Sequence, residues 1–173
     1  MVGSPVGFPS GAHRTETKVQ EARLLVEDGV QEMDMMVNVG KLKSGDYEYV
    51  KTDLRHVIDA VHPLPVKVIL EVAYLDSSEI RRACELSVEC GADFVKTSTG
   101  WADGGVTSAV VELIKKSVGD AIKIKASGGI RSLDTLISMY KRGVSRFGIN
   151  LDASVAILNE VRRLPGGEVE LGD

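Results

Sequence analysis

Asp34, Lys67, Lys96 and Lys125 recur at intervals of 33, 29 and 29 residues, each inside a short apolar run. Side chains alternate between the two faces of a strand. EMDMMVN (Glu32–Asn38) therefore sets Glu32, Asp34, Met36 and Asn38 opposite Met33, Met35 and Val37. VKVILE (Val66–Glu71) sets Lys67, Ile69 and Glu71 on one face. DFVKTSTGW (Asp93–Trp101) does the same with Phe94, Lys96 and Ser98, and IKIKAS (Ile122–Ser127) with Lys123, Lys125 and Ser127. A buried charge is costly unless it is paired or neutralised. Four such faces must then meet water or meet one another. Antiparallel edge strands would meet water. The intervals point the other way, because about 30 residues hold a strand, a crossover helix and a parallel return strand. Parallel strands under helices are usually apolar on both faces. A polar face that recurs on them calls for the lumen of a closed or nearly closed barrel. There Glu32, Asp34 and Glu71 would compensate Lys67, Lys96, Lys123 and Lys125.

The intervening segments have helical period and helical punctuation. His13–Asp28 reads as a helix capped by Thr15 or Thr17 and closed by Gly29. Asp46–Val61 carries the stripe Tyr49, Val50, Leu54, Val57, Ile58 and Val61, and Pro63 and Pro65 stop it. Further helices run from Asp76–Ser78 to Cys90, over Thr107–Val118, over Ser132–Lys141 and over Ala153–Leu164. Strands follow at Val2, Glu32–Val39, Val66–Tyr74, Phe94–Thr99, Ala121–Ser127 and Ser145–Asn150. Six strand–helix units make one domain over residues 1–173, with residues 165–173 as a flexible tail.

Composition excludes several classes. A formal charge of −4 leaves no basic footprint for nucleic acid. No apolar run reaches membrane-spanning length, and no signal segment follows Met1. Cys84 and Cys90, six apart on one helix, suit neither a disulfide nor a zinc site, which fits a reduced cytoplasmic setting. His13, His56 and His62 are scattered without metal-ligand spacing.

In barrels of this kind, reactive groups lie toward the C-terminal ends of the strands. Lys96, Lys125 and Asp34 fit that position. An ordinary lysine has a pKa of about 10.4 and is a poor nucleophile. Desolvation or a cationic neighbour lowers such a value and frees the lone pair. Lys125 is the natural neighbour for Lys96, since adjacent strands lie about 4.8 Å apart. A freed amine can condense with a carbonyl, and Asp34 can move protons directly or through water. In SGGIRS (Ser127–Ser132), Gly128 and Gly129 stand between a strand and a helix, where bare backbone N–H groups favour an anion. Gly148 and Asn150 end the last strand beside them. Trp101 follows the lysine strand, where it would either line the pocket mouth or simply pack.

VGFPSG, EMDMMVNVG, VKVILE, DFVKTSTG, IKASGGIRS and RFGIN occur in this order through nearly the whole chain. In these motifs the sequence resembles the class I deoxyribose-phosphate aldolases. The resemblance implies a TIM-type (β/α) barrel, here incomplete, with about six βα units matching the third to eighth of a full barrel. It implies that Lys96 forms the Schiff base, Lys125 perturbs it and Asp34 joins the proton relay. Thr99, Gly100, Gly128, Gly129, Gly148 and Asn150 would hold substrate and phosphate. The reaction would be reversible cleavage of 2-deoxy-D-ribose 5-phosphate to glyceraldehyde 3-phosphate and acetaldehyde, in deoxyribonucleotide catabolism. No metal and no organic cofactor is implied. The partners are a small phosphorylated aldehyde or deoxysugar and further copies of the chain, the latter covering the open side of the sheet. One departure concerns the end of the last strand. The family places GTSS there, and this chain has Gly148, Ile149, Asn150 and Leu151. Ile149 cannot donate to phosphate, which favours a second reading, a Schiff-base aldolase with another aldehyde acceptor. A third reading is a non-catalytic sugar-phosphate-binding or assembly module.

Overall fold

The structure, a computed structural model, describes residues 1–169 and residue 171. Six strands, β1 (Gly3–Val6), β2 (Glu32–Met36), β3 (Val66–Ile69), β4 (Phe94–Lys96), β5 (Lys123–Ser127) and β6 (Val144–Gly148), lie side by side in chain order. Every neighbouring pair is parallel. Helices α1 (Thr15–Glu27), α2 (Val39–Lys43), α3 (Tyr47–Val61), α4 (Ser77–Glu89), α5 (Ser108–Val118), α6 (Leu133–Lys141) and α7 (Leu151–Arg162) connect and follow them. Among the described residues β1 and β6 do not pair, so the sheet is curled but not closed. The curl is strong enough that Arg146 on β6 reaches Glu32 on β2, with guanidinium-to-carboxylate distances of 2.5 and 2.8 Å. The expected six-unit partial barrel is therefore the observed architecture.

The outer layer is held by amphipathic helices. On α3, Val50, Leu54, Val57, Ile58 and Val61 are buried toward the sheet. Each such side chain contributes about 1.5–3 kcal/mol when fully removed from water. Asp46 caps this helix by accepting from the Tyr49 N–H. Asp76 and Glu79 form a reciprocal capping box on α4. The apolar faces of the strands, including Met33, Met35, Val66, Val68, Val95 and Ile124, complete the core.

Several boundaries differ from the sequence reading, each for a local reason. Thr15 does not cap α1. Its hydroxyl donates to Asp53, and the cap position is Arg14 without a side-chain bond. Asp53 in turn pairs with Lys18 at 2.6 Å, and both side chains are fully enclosed. Lys18 also donates to the Met36 carbonyl at 3.1 Å, so one buried ion pair ties α1 and α3 to the end of β2. Gly7 makes room for it: at φ +65°, a Cβ here would meet Lys18 Cε at 2.7 Å. Strand β2 stops at Met36 rather than Val39, because Asn38 caps the short helix α2 through the Lys41 N–H. Strand β3 stops at Ile69 rather than Tyr74, because Glu71 adopts φ +54° and a 3-10 turn follows over Val72–Tyr74. Of the tail, a 3-10 turn occupies Pro165–Gly167, while Glu170, Gly172 and Asp173 lie outside the described residues.

Candidate active site

Parallel register sets the lysines beside one another. Lys96 on β4 pairs with Lys125 on β5, Asp34 on β2 with Lys67 on β3, and Lys125 with Arg146 on β6. The side chains converge on the concave face. Lys96 Nζ and Lys125 Nζ each donate to Asp34 Oδ2 at 2.7 Å. Lys67 Nζ lies 3.2 Å from Asp34 Oδ1 and 3.1 Å from Glu32 Oε2, and Arg146 closes the far side of Glu32. Lys67 is at ion-pair distance from both carboxylates yet makes no directed hydrogen bond among the described residues. Charge attraction, not bond geometry, keeps it there. The luminal cluster thus sets four cations against two carboxylates.

Two members of the expected cluster lie elsewhere. Lys123 is exposed, with its amine 5.7 Å from the centroid of the Phe94 ring. It sits at the first position of β5, below the enclosed lumen. Glu71 makes no ion pair among the described residues. Its carboxylate accepts from the Thr99 N–H and the Thr99 hydroxyl. Arg146 was missing from the sequence reading. Its signal was the alternation Arg146–Gly148, which continues the Lys125 face across to β6.

Charge balance fixes the protonation chemistry. Burial alone would raise the Asp34 carboxyl, but the Lys96 and Lys125 ammoniums overturn this and hold it at about 2. Asp34 is therefore an ionised acceptor at neutral pH. Glu32 behaves likewise: burial opposes ionisation, and the Arg146 hydrogen bonds together with the charges of Lys67 and Arg146 prevail and lower it. Lys125 is pushed down, first by burial and further by the Lys96 and Lys67 ammoniums, against the pull of Asp34. A cation excess in an enclosed site favours loss of a proton from an amine, which is the state a carbonyl needs.

Above the amines opens a cavity of about 450 Å³. Lys96, Thr99, Gly100, Lys125, Gly128, Gly129, Gly148 and Asn150 all line it. Asp34 lies beneath the two amines rather than on the wall. Trp101, Ser127, Ile130, Arg131 and Ile149 complete the lining. Arg131 had a visible signal, since it lies inside SGGIRS. The glycines work by contact as well as by bare N–H groups. Gly129 sits at φ +78°, and a Cβ there would lie 3.0 Å from Gly105 Cα, so the β4–α5 and β5–α6 loops touch backbone to backbone. Two lining side chains have prior commitments. Asn150 caps α7 by accepting from the Ala153 N–H, and Thr99 gives its hydroxyl proton to Glu71. Among the described residues no cluster of His, Cys, Asp and Glu is arranged to hold a metal ion. No helix there is long and apolar enough to cross a membrane.

Comparison with known proteins points the same way. A deoxyribose-phosphate aldolase of Rhizobium meliloti (strain 1021) is 51% identical over 171 residues, covering 99% of this chain and 69% of the relative. The solved structure titled "QR15, an Aldolase" superposes with a TM-score of 0.87 at 43% identity, covering 92% of this chain and 71% of that one. A deoxyribose phosphate aldolase of Aeropyrum pernix, described as having a unique tetrameric structure, superposes with a TM-score of 0.82 at 29% identity, covering 93% and 68%. The chain thus spans about two thirds of the length of these relatives. The family model of the DeoC/LacD aldolases matches residues 3–148, a stretch that runs from β1 to the end of β6 and holds the whole luminal cluster. By that match and by half-identity across nearly its full length, this chain belongs to the DeoC/LacD aldolase family.

Proposed function

We propose that the chain is a Schiff-base aldolase that reversibly cleaves 2-deoxy-D-ribose 5-phosphate to glyceraldehyde 3-phosphate and acetaldehyde. The observation that carries this is the pair of amines, Lys96 and Lys125, sharing one ionised carboxylate oxygen at the floor of a glycine-lined pocket. Lys96 attacks C1 of the open-chain sugar, and loss of water leaves an iminium. The iminium withdraws electrons from C2. Removal of the C3 hydroxyl proton then breaks the C2–C3 bond and releases glyceraldehyde 3-phosphate. The enamine left on Lys96 is protonated at C2, and water returns acetaldehyde. Asp34, in contact with both amines, is the acceptor through which these protons pass, directly or by way of water. Lys125 keeps positive charge beside the reacting nitrogen. The phosphate sits at the far end, against the backbone of Gly128, Gly129 and Gly148, the N-terminal ends of α6 and α7, and Arg131.

Lys96 and Lys125 are almost equally exposed and equally close to Asp34. The choice of Lys96 as nucleophile rests on the motif VKTSTG. Trapping tests it. Borohydride with acetaldehyde replaces one amine hydrogen by an ethyl group, and peptide mapping is expected to find it on Lys96. An adduct on Lys125 would reverse the two roles. No adduct at neutral pH would leave a sugar-phosphate-binding module. Ile149 and Trp101 on the wall support the reading with a different acceptor. Comparing glyceraldehyde 3-phosphate with unphosphorylated aldehydes in the synthetic direction tests it.

Self-association belongs to the same proposal. Strands β1 and β6 each leave an edge unpaired among the described residues, and Leu151, Val155 and Leu158 form an exposed apolar stripe on α7. The Aeropyrum pernix relative, described as tetrameric, supports it. Sedimentation should show a dimer or larger species at micromolar concentration. A well-behaved monomer would contradict this. A cytoplasmic setting fits the two buried thiols, of which burial pushes Cys84 up to about 12.

A further inference from the structure

We propose that Glu71 is a positioning residue that holds the Thr99–Trp101 wall of the pocket, acting through Thr99. The proposal rests on the aldolase reading only for the identity of the substrate. Glu71 is the one residue other than glycine with positive φ among those described, at +54°, and it is 2% exposed. Glycine, asparagine and aspartate visit this region readily, whereas a longer side chain is strained there. A glycine would serve the turn better, so the carboxylate itself has a use.

That use is visible in the hydrogen bonds. On either side of Glu71 the chain is laced to the end of β4, with Leu70 N–H donating to the Lys96 carbonyl at 2.9 Å and Val72 N–H to the Thr97 carbonyl at 3.0 Å. Between these two anchors, Glu71 Oε2 reaches over to accept from Thr99 N–H at 3.1 Å and from the Thr99 hydroxyl. The Thr99 oxygen then accepts from Trp101 N–H at 3.0 Å. The relay therefore runs from the nucleophile strand to Thr99, Gly100 and Trp101, three residues that form one wall of the cavity. Glu71 Oε1 is buried and has no hydrogen-bond partner among the described residues. An unsatisfied buried oxygen is unfavourable and persists where its neighbour is needed. It follows that the Thr99 hydroxyl does not donate to substrate. Thr99 and Gly100 offer backbone, fixed in place by Glu71.

The test uses Glu71→Ala, Glu71→Gly and Glu71→Gln in the full chain. The glycine variant relieves the backbone while deleting the carboxylate, so it keeps the fold if the alanine variant does not. The glutamine variant keeps an acceptor for Thr99. Glu71→Gly is expected to raise KM for the phosphorylated acceptor about tenfold, with kcat changed much less. Glu71→Gln is expected to stay near the unsubstituted protein. Acetaldehyde trapping on Lys96, which needs no wall, should survive in all three. Trp101 is the only tryptophan in the chain, so its fluorescence reports the wall without any turnover. The indole is already exposed but is held edge-on against Phe8, so its mobility is the readout. Fluorescence anisotropy should fall in Glu71→Gly and not in Glu71→Gln. Unchanged KM and unchanged anisotropy in Glu71→Gly would overturn the proposal. Loss of trapping in the unsubstituted protein would instead overturn the aldolase reading and leave the anisotropy result to decide the role of Glu71.

Discussion

Replacing Lys96 by leucine should abolish borohydride trapping and lower kcat/KM by roughly 10⁴-fold or more, the scale lost when a covalent nucleophile is deleted. Leucine keeps the bulk of the lysine stem and removes only the reacting nitrogen. Asp34 still has Lys125 and Lys67 as partners, so the fold should persist. Lys125→Leu should behave differently. It leaves Asp34 Oδ2 paired with Lys96 alone, one cation to one oxygen, and removes the ammonium beside the reacting amine. Trapping on Lys96 should then remain possible but slow at neutral pH, and its rate should recover in more alkaline solution. Mass mapping after timed quenching, repeated across a pH series, reads both results. If Lys125→Leu traps at the original rate with an unmoved pH profile, the second ammonium has no part in activating the first. If Lys96→Leu still traps, the nucleophile has been misassigned.

The sequence carried the fold through one regularity, a polar position recurring about every 30 residues on otherwise apolar strands. That regularity survives in the register, where Lys96 stands opposite Lys125 and Asp34 opposite Lys67. A second, local signal was the glycines before helix starts, and Gly128, Gly129 and Gly148 do line the cavity. Two kinds of feature escaped these signals. Strand lengths were overread at Val39 and Tyr74, since alternation alone does not show where a side-chain cap such as Asn38 or a positive φ such as that of Glu71 takes over. Long-range pairs were the other kind. Glu32 with Arg146, and Lys18 with Asp53, are 114 and 35 residues apart and become neighbours only once the sheet curls and the helices dock. Lys123 shows the converse error. Period two put it on the lysine face, but a face is enclosed only over part of its length, and the strand's first residue is exposed.

Asp34→Asn should separate the nucleophile from the proton relay. The asparagine keeps the shape and still accepts a hydrogen bond, but it carries no negative charge and cannot take up a proton. Turnover should fall about 10²–10⁴-fold, the range of a general acid–base contribution. Trapping with acetaldehyde should persist at neutral pH, because the Lys96 amine itself is untouched by the substitution. Stability supplies an independent reading. The folded-state value of about 2 lies below the ordinary 3.8. The ionised form is thus favoured by folding, and the gain is present above the ordinary value and lost as pH falls toward the folded one. Its size is about 2 kcal/mol. Urea unfolding followed between about pH 5 and about pH 2 should show this loss in the unsubstituted protein and a flatter profile in Asp34→Asn. The variant should also be less stable at pH 7, where Lys67, Lys96 and Lys125 face one another with Glu32 as their remaining carboxylate. If Asp34→Asn turns over at the original rate, protons do not pass through residue 34. If it loses trapping while remaining folded, Asp34 acts in forming the iminium rather than in the later proton transfers.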